Sequence, residues 1–137
     1  MAWDVDVVSI LQSAGVGTDN VSLFRGTNAN IPSGDGPYTV IVVTAGSGYD
    51  RTHNSAPQPA YEYPGGQLSV HCKNSAVGLA TVLSAKVALQ AVRDTVIGST
   101  YIREITCGNP SDGGKDDNKR ALWRLNLIAC RRPEGVN

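Results

Sequence analysis

Residues 67–97 read QLSVHCKNSAVGLATVLSAKVALQAVRDTVI, and this stretch decides the fold. Its first seven residues alternate, with Leu68, Val70 and Cys72 on one side and Gln67, Ser69, His71 and Lys73 on the other, the two-residue period of a half-buried antiparallel strand. Asn74 or Ser75 then offers a helix N-cap, the apolar period lengthens, and Gly98 supplies a stop, so the spacing predicts one long helix over 76–97. On a helical wheel Leu79, Ala80, Leu83, Val87 and Ala91 form one stripe, Val82, Leu89 and Val96 form a second beside it, and only Lys86, Gln90 and Arg93 make a polar band. A helix this apolar has more surface to bury than one sheet can cover. Either a second helix or a neighbouring subunit must take the remainder, and the pattern favours neither.

Upstream, Asp4 is placed to cap a short helix whose Val7, Val8 and Leu11 share a face, with Gly15 and Gly17 ending it. Val21 to Phe24 leads into a turn-rich passage, Ile31-Pro32-Ser33-Gly34-Asp35-Gly36-Pro37, and then into the β-branched run Tyr38 to Thr44, which reads as a central strand. Residues 45–66 hold glycine, proline and small polar residues without an amphipathic period, so they read as one long connection. Loops beyond ~12–15 residues are uncommon inside compact domains and are often functional, which makes a partner outside the subunit the natural agent to order this one. Downstream, Thr100 to Cys107 and Arg120 to Cys130 read as strands, the second with Trp123, Leu125, Leu127 and Ala129 on one face. The expectation is an α+β fold: an antiparallel sheet of about four strands packed against one long and one short helix, in a single domain over 1–137.

Length and composition narrow the function. At 137 residues the chain can bury a workable single core, and 41% apolar against 18% charged residues excludes wholesale disorder. Twelve basic and twelve acidic residues cancel, so no global field steers the chain to nucleic acid or an anionic membrane. Cys72, Cys107 and Cys130 are widely separated and contain no CxxC, which points to reduced, buried thiols instead of a disulfide framework or zinc site. Residues 1–20 carry Asp4, Asp6 and Asp19 and no Lys or Arg, the reverse of a secretory leader, and no apolar run approaches the ~20 residues that span a bilayer. The expectation is a soluble protein made in the cytoplasm, without a membrane partner.

Motifs for chemistry are weak. Gly113-Gly114-Lys115 echoes the end of a phosphate loop, yet Asn109 stands where the first glycine belongs and Asp116 where a Ser or Thr should hold magnesium. Asp112, Asp116, Asp117 and Asn118 lack the alternating ligands and distal glutamate of a calcium loop. Of the two histidines, His71 falls on the outward face of its strand and reads as a surface side chain, while His53 sits in the long connection. No Gly-x-Ser-x-Gly elbow and no cysteine in an activating setting occurs. The chain therefore reads as non-enzymatic, with no cofactor and no metal. One asymmetry remains: Lys119, Arg120, Arg124, Arg131 and Arg132 face no acid within 119–132, so Lys119, Arg120 and Arg124 are candidates for a basic surface turned to a partner or to DNA, against the plainer reading of a solvated strand with charged ends.

Three stretches, Phe24-Arg25-Gly26 through Ile31-Pro32-Ser33-Gly34-Asp35-Gly36-Pro37-Tyr38, Asp50-Arg51-Thr52-His53-Asn54 and Ala60-Tyr61-Glu62-Tyr63-Pro64, resemble a group of siphophage tail terminator proteins, often labelled minor capsid protein. The strand, long alanine-rich helix, Gly-Asn-Pro turn, aspartate-rich loop and closing strand ending Cys130-Arg131-Arg132-Pro133 follow the same layout, so the resemblance covers nearly the whole chain. It departs where such proteins carry an arginine before the helix; here Lys73 keeps the charge. The resemblance implies a virion protein forming a sixfold homo-oligomeric ring at the head-proximal end of the tail, touching the tail tube protein below and the head connector above, with genomic DNA passing through the lumen. Tyr49, Arg51, His53, Tyr61 and Tyr63 are then the candidate subunit or tube interface, since Arg and Tyr dominate interface hot spots. A head-closure or adaptor protein of the same virion neck is the nearest rival, and a small nucleotide-binding enzyme using the Gly113-Gly114-Lys115 loop is the rival from another class.

Overall fold

The computed structural model describes residues 3–26, 30–44, 49–50, 61–98 and 100–133, with backbone alone at 49, 50 and 133. Helix α1 spans Trp3–Ser13, and Asp4 and Asp6 lie in its first turn, where negative charge suits the helix dipole. Gly15 follows with φ 77°, a left-handed position that lets the chain leave the helix. Strands β1 (Leu23–Arg25), β2 (Tyr38–Thr44), β3 (Tyr49–Asp50), β4 (Tyr61–Glu62) and β5 (Gly65–Cys72) precede helix α2 (Ser75–Gln90). Strands β6 (Arg93–Ile97), β7 (Thr100–Cys107), β8 (Ser111–Lys115) and β9 (Ala121–Pro133) complete the order.

The expected four-stranded antiparallel sheet with one long helix is overturned: the described residues form one mixed sheet of nine strands with two short helices. β1 runs parallel to β2, and every other pairing is antiparallel. The predicted helix over 76–97 ends at Gln90, because the β-branched Thr95, Val96 and Ile97 pair with β7 instead of continuing the coil. The connection 45–66 contributes β3, β4 and the start of β5, and the aspartate-rich turn contributes β8.

Every sheet segment is organised by β9. One of its edges pairs with β5 from Ala121↔Cys72 to Ile128↔Gly65 and then with β4 at Arg131↔Glu62; the other pairs with β8 near its start and with β7 from Leu127 to Pro133. The helix-side face of this sheet is apolar, with Ile41, Leu68 and Leu125 in one cross-strand row, all fully buried. Each such side chain contributes roughly 1.5–3 kcal/mol on burial.

α2 starts at Asn74, whose Oδ1 accepts from the N–H of Ala76 (3.0 Å) and Val77 (3.2 Å). It lays Gly78, Val82, Ala85 and Leu89 on the sheet. The stripe of Ala80, Leu83, Val87 and Ala91 therefore faces out, with Val77 44%, Leu83 43% and Val87 71% exposed. α1 covers only part of the helix layer.

Gly78 sets the closeness of that packing. A Cβ there would stand 3.1 Å from Trp123 Cδ1 and 3.2 Å from Cys72 Cβ, while Trp123 Nε1 donates to the Ser75 carbonyl at 3.1 Å. Replacing Gly78 with Val forces the helix off the sheet and is expected to cost about 1–3 kcal/mol, read as a lower urea midpoint at unchanged slope.

Candidate functional site

Two clusters of charged side chains sit at opposite ends of β9. At its start, His71 does not lie at the surface as its strand face predicts: its Nδ1 stands 2.8 Å from Asp116 Oδ2, and its side chain is 13% exposed. The Asp116 carboxylate also accepts from the N–H groups of Asn118 (3.0 Å) and Arg120 (2.9 Å) and from Arg120 Nε (2.8 Å). Arg120 Nη1 donates to the carbonyls of Pro32 (2.7 Å) and Gly34 (3.1 Å), and its guanidinium lies 5.4 Å from the Tyr38 ring centroid. One carboxylate thus ties the β8–β9 turn to β5, and one guanidinium ties that turn to the 32–34 connection. Burial raises the Asp116 pKa, but the Arg120 N–H, the His71 ring and the Arg120 guanidinium outweigh it and hold the carboxyl at about 2.

At the other end, Arg131 is buried between Asp6 and Glu62, with N–O distances of 3.5 Å to each, and its guanidinium lies 5.5 Å from the Trp3 ring centroid. It pins α1 and β4 to the sheet. Burial pushes the Asp6 carboxyl above its ordinary value, an effect Arg131 partly offsets. The next residue, Arg132, points to the opposite face, and its guanidinium carbon lies over the rings of Tyr61 (5.7 Å to the centroid) and Tyr101 (5.1 Å). The Tyr101 hydroxyl donates to Asp94, whose φ of 47° marks a kink in β6.

These clusters redistribute the sequence-predicted residues. Arg120, a candidate for a partner-facing or lumen-facing surface, is 4% exposed and spent on internal partners, so it is a fold residue. Lys119 and Arg124 are exposed, Lys119 in the left-handed conformation of a tight turn and Arg124 across from Ser69 and Ser111. Tyr61 and Tyr63 are half-buried. Arg51 and His53 lie outside the described residues, and Tyr49 is described by its backbone in β3 alone. Gly113, Gly114 and Lys115 belong to β8, where Lys115 pairs with Ala121. His71, Asp116, Arg132 and Tyr101 were not singled out together, because each is unremarkable alone and only strand register joins them.

No protein-family model and no curated protein matches this sequence. The fold is shared with a solved structure titled "Virion of native gene transfer agent (GTA) particle": one of its chains superposes with a TM-score of 0.61 at 16% identity, over 98% of this chain and 96% of that one. At that identity the likeness is one of fold. No helix among the described residues is long and apolar enough to cross a membrane.

The Asp116 linkage has a definite sign. Its folded pKa of about 2 lies below the ordinary 3.8, so its contribution is complete above the unfolded value and is lost as pH falls through the folded one. Asp116→Asn is expected to lower stability by about 1–3 kcal/mol at pH 6, and its gap from the parent protein should close between about pH 4 and pH 2 in urea titrations.

Proposed function

We propose that this chain is a non-enzymatic structural protein of a phage-like virion, which caps the head-proximal end of a tail tube, halts its polymerisation and offers the surface on which the head connector seats. The observation that carries this reading is the end-to-end fold likeness to a chain of a gene transfer agent virion, 98% of the present sequence against 96% of the other. The resemblance of Phe24–Tyr38, Asp50–Asn54 and Ala60–Pro64 to tail terminator proteins supports the narrower role within the particle.

Surface chemistry supports it. A tube grows because the top of each ring matches the bottom of the next, an open heterologous contact, and a terminator must match below and differ above. Such work needs broad unlike faces. The uncovered side of α2 is apolar and uncharged, since its single charged residue, Lys86, turns aside to Asn109. The opposite sheet face carries the polar Gln67, Ser69, Arg124 and Asn126. The β3–β4 pair lies beside β9, and Tyr49 and Tyr61 of the candidate interface belong to it. In this reading the ring is a hexamer, and its exposed Lys119 and Arg124 meet an acidic neighbour or the DNA in transit.

Deleting the coding sequence from the particle's genome tests the role. Over-long or ragged tails on otherwise normal tubes are expected. Filled heads that leak DNA beside tails of normal length would assign the chain to head closure instead.

A further inference from the structure

We propose that Asp94 guards the open edge of β6: held in a left-handed conformation with the help of Tyr101, it keeps that edge from pairing with a strand of another molecule. The inference goes beyond the virion reading and does not depend on it. Among the described residues β6 pairs with β7 alone, while β4, with β3 beyond it, attaches to the other edge of β9. β6 is therefore an edge strand. Its Thr95-Val96-Ile97 run is β-branched throughout, with Val96 55% exposed. An open edge of such residues is a template for strand addition.

The register says which main-chain groups stand open. Ile97 and Thr100 are directly opposed across residues 98 and 99, the geometry of a two-residue turn, whose i to i+3 bond makes them a hydrogen-bonded pair. Gly98, at φ 60°, supplies the positive φ that such a turn needs. Hydrogen-bonded and open pairs alternate along an antiparallel ladder, so Ile97, Thr95 and Arg93 turn their N–H and C=O groups toward β7. Those of Val96 and Asp94 turn away from it. A strand added at this edge would have to bond to both, and Asp94 is not extended: its φ is 47°, in the left-handed region. The pairs on either side of it, Arg93↔Glu104 and Thr95↔Ile102, keep the regular register. The bend thus leaves the pairing with β7 intact and spoils the opposite edge.

Local contacts hold the bend. The Tyr101 hydroxyl donates to Asp94 Oδ1, Thr95 Oγ1 donates to the Arg93 carbonyl (2.7 Å), and Arg93 lies 3.6 Å from Glu104. Aspartate tolerates the left-handed region because its short polar side chain finds a partner nearby, whereas a β-branched residue does not. The exposed charges of Arg93 and Asp94 further discourage a close neighbour.

Two substitutions that remove the same charge separate backbone from electrostatics. Asp94→Asn keeps the left-handed preference, and Asp94→Thr restores extended chain. The full chain is incubated below its unfolding transition and followed by pelleting and thioflavin fluorescence. Asp94→Asn is expected to stay soluble within about two-fold of the parent, while Asp94→Thr should deposit thioflavin-positive material about 10-fold faster or more. Adding Val96→Lys to Asp94→Thr puts a charge into the edge and should restore solubility; adding Val21→Lys, at a site 64% exposed and outside every strand, should not. This second-site pair keeps the test decisive if Asp94→Thr weakens the fold, because aggregation from unfolded chains does not distinguish where the added charge sits. Equal behaviour of the two Asp94 variants, failure of Val96→Lys to rescue, or equal rescue by Val21→Lys would each overturn the guard.

Discussion

The structure depends on the length of β9. Thirteen residues of extended chain give two hydrogen-bonding edges, and four other strands fasten to them at different heights, two on each side. Remove that strand and no remaining pair holds the two halves of the sheet together: β1, β2 and β5 would be separated from β6 and β7. Its inward residues Trp123, Leu125, Leu127 and Ala129 also line the floor on which α2 rests. The tie-points at its two ends follow from the same arrangement. Asp116 and Arg120 anchor the entry to β9 and Arg131 anchors its exit; both arginines are buried and Asp116 is half-buried, so breaking either tie would leave a buried guanidinium without compensation.

Parts of this were legible in the amino-acid pattern and parts were not, for physical reasons. The alternation over 67–72 and 123–129 identified β5, β9 and their inward faces, because each has one covered face and one that is not. The cap of α2, narrowed to Asn74 or Ser75, and the short α1 were likewise readable. The short strands were not: β1, β3, β4, β6 and β8 have two to five residues, too few to show a period, and glycine and aspartate in β8 argue against a strand by propensity. They are strands because β9 and its neighbours offer unpaired edges, a tertiary cause that local sequence does not record. The overlong helix has the same origin, since the apolar period runs on past Gln90 while the edge of β7 competes for 93–97.

The two stripes on α2 show a related limit. Both are apolar, so nothing in the wheel says which is buried; the answer lies in Gly78, where the absence of a side chain lets the helix approach Trp123 and Cys72. The face chosen by that glycine carries Val82, Ala85 and Leu89 down to the sheet and leaves Leu83 and Val87 outside. The candidate sites were half legible for the same reason. Tyr61 could be picked out by residue type, whereas the meeting of Arg132 with Tyr61 and Tyr101 follows only from strand register.

The polar side chains of His71, Asp116 and Arg120 tie turns to the sheet, while Arg132 lies over two tyrosine rings. Contact with two tyrosine rings restricts the rotamers of Arg132, an entropy cost of up to about 1.5–2 kcal/mol met during folding. The integrity of the subunit thus rests on β9 at the centre of the sheet and on the side-chain ties at its two ends, Asp116 with Arg120 at its entry and Arg131 with Asp6 and Glu62 at its exit.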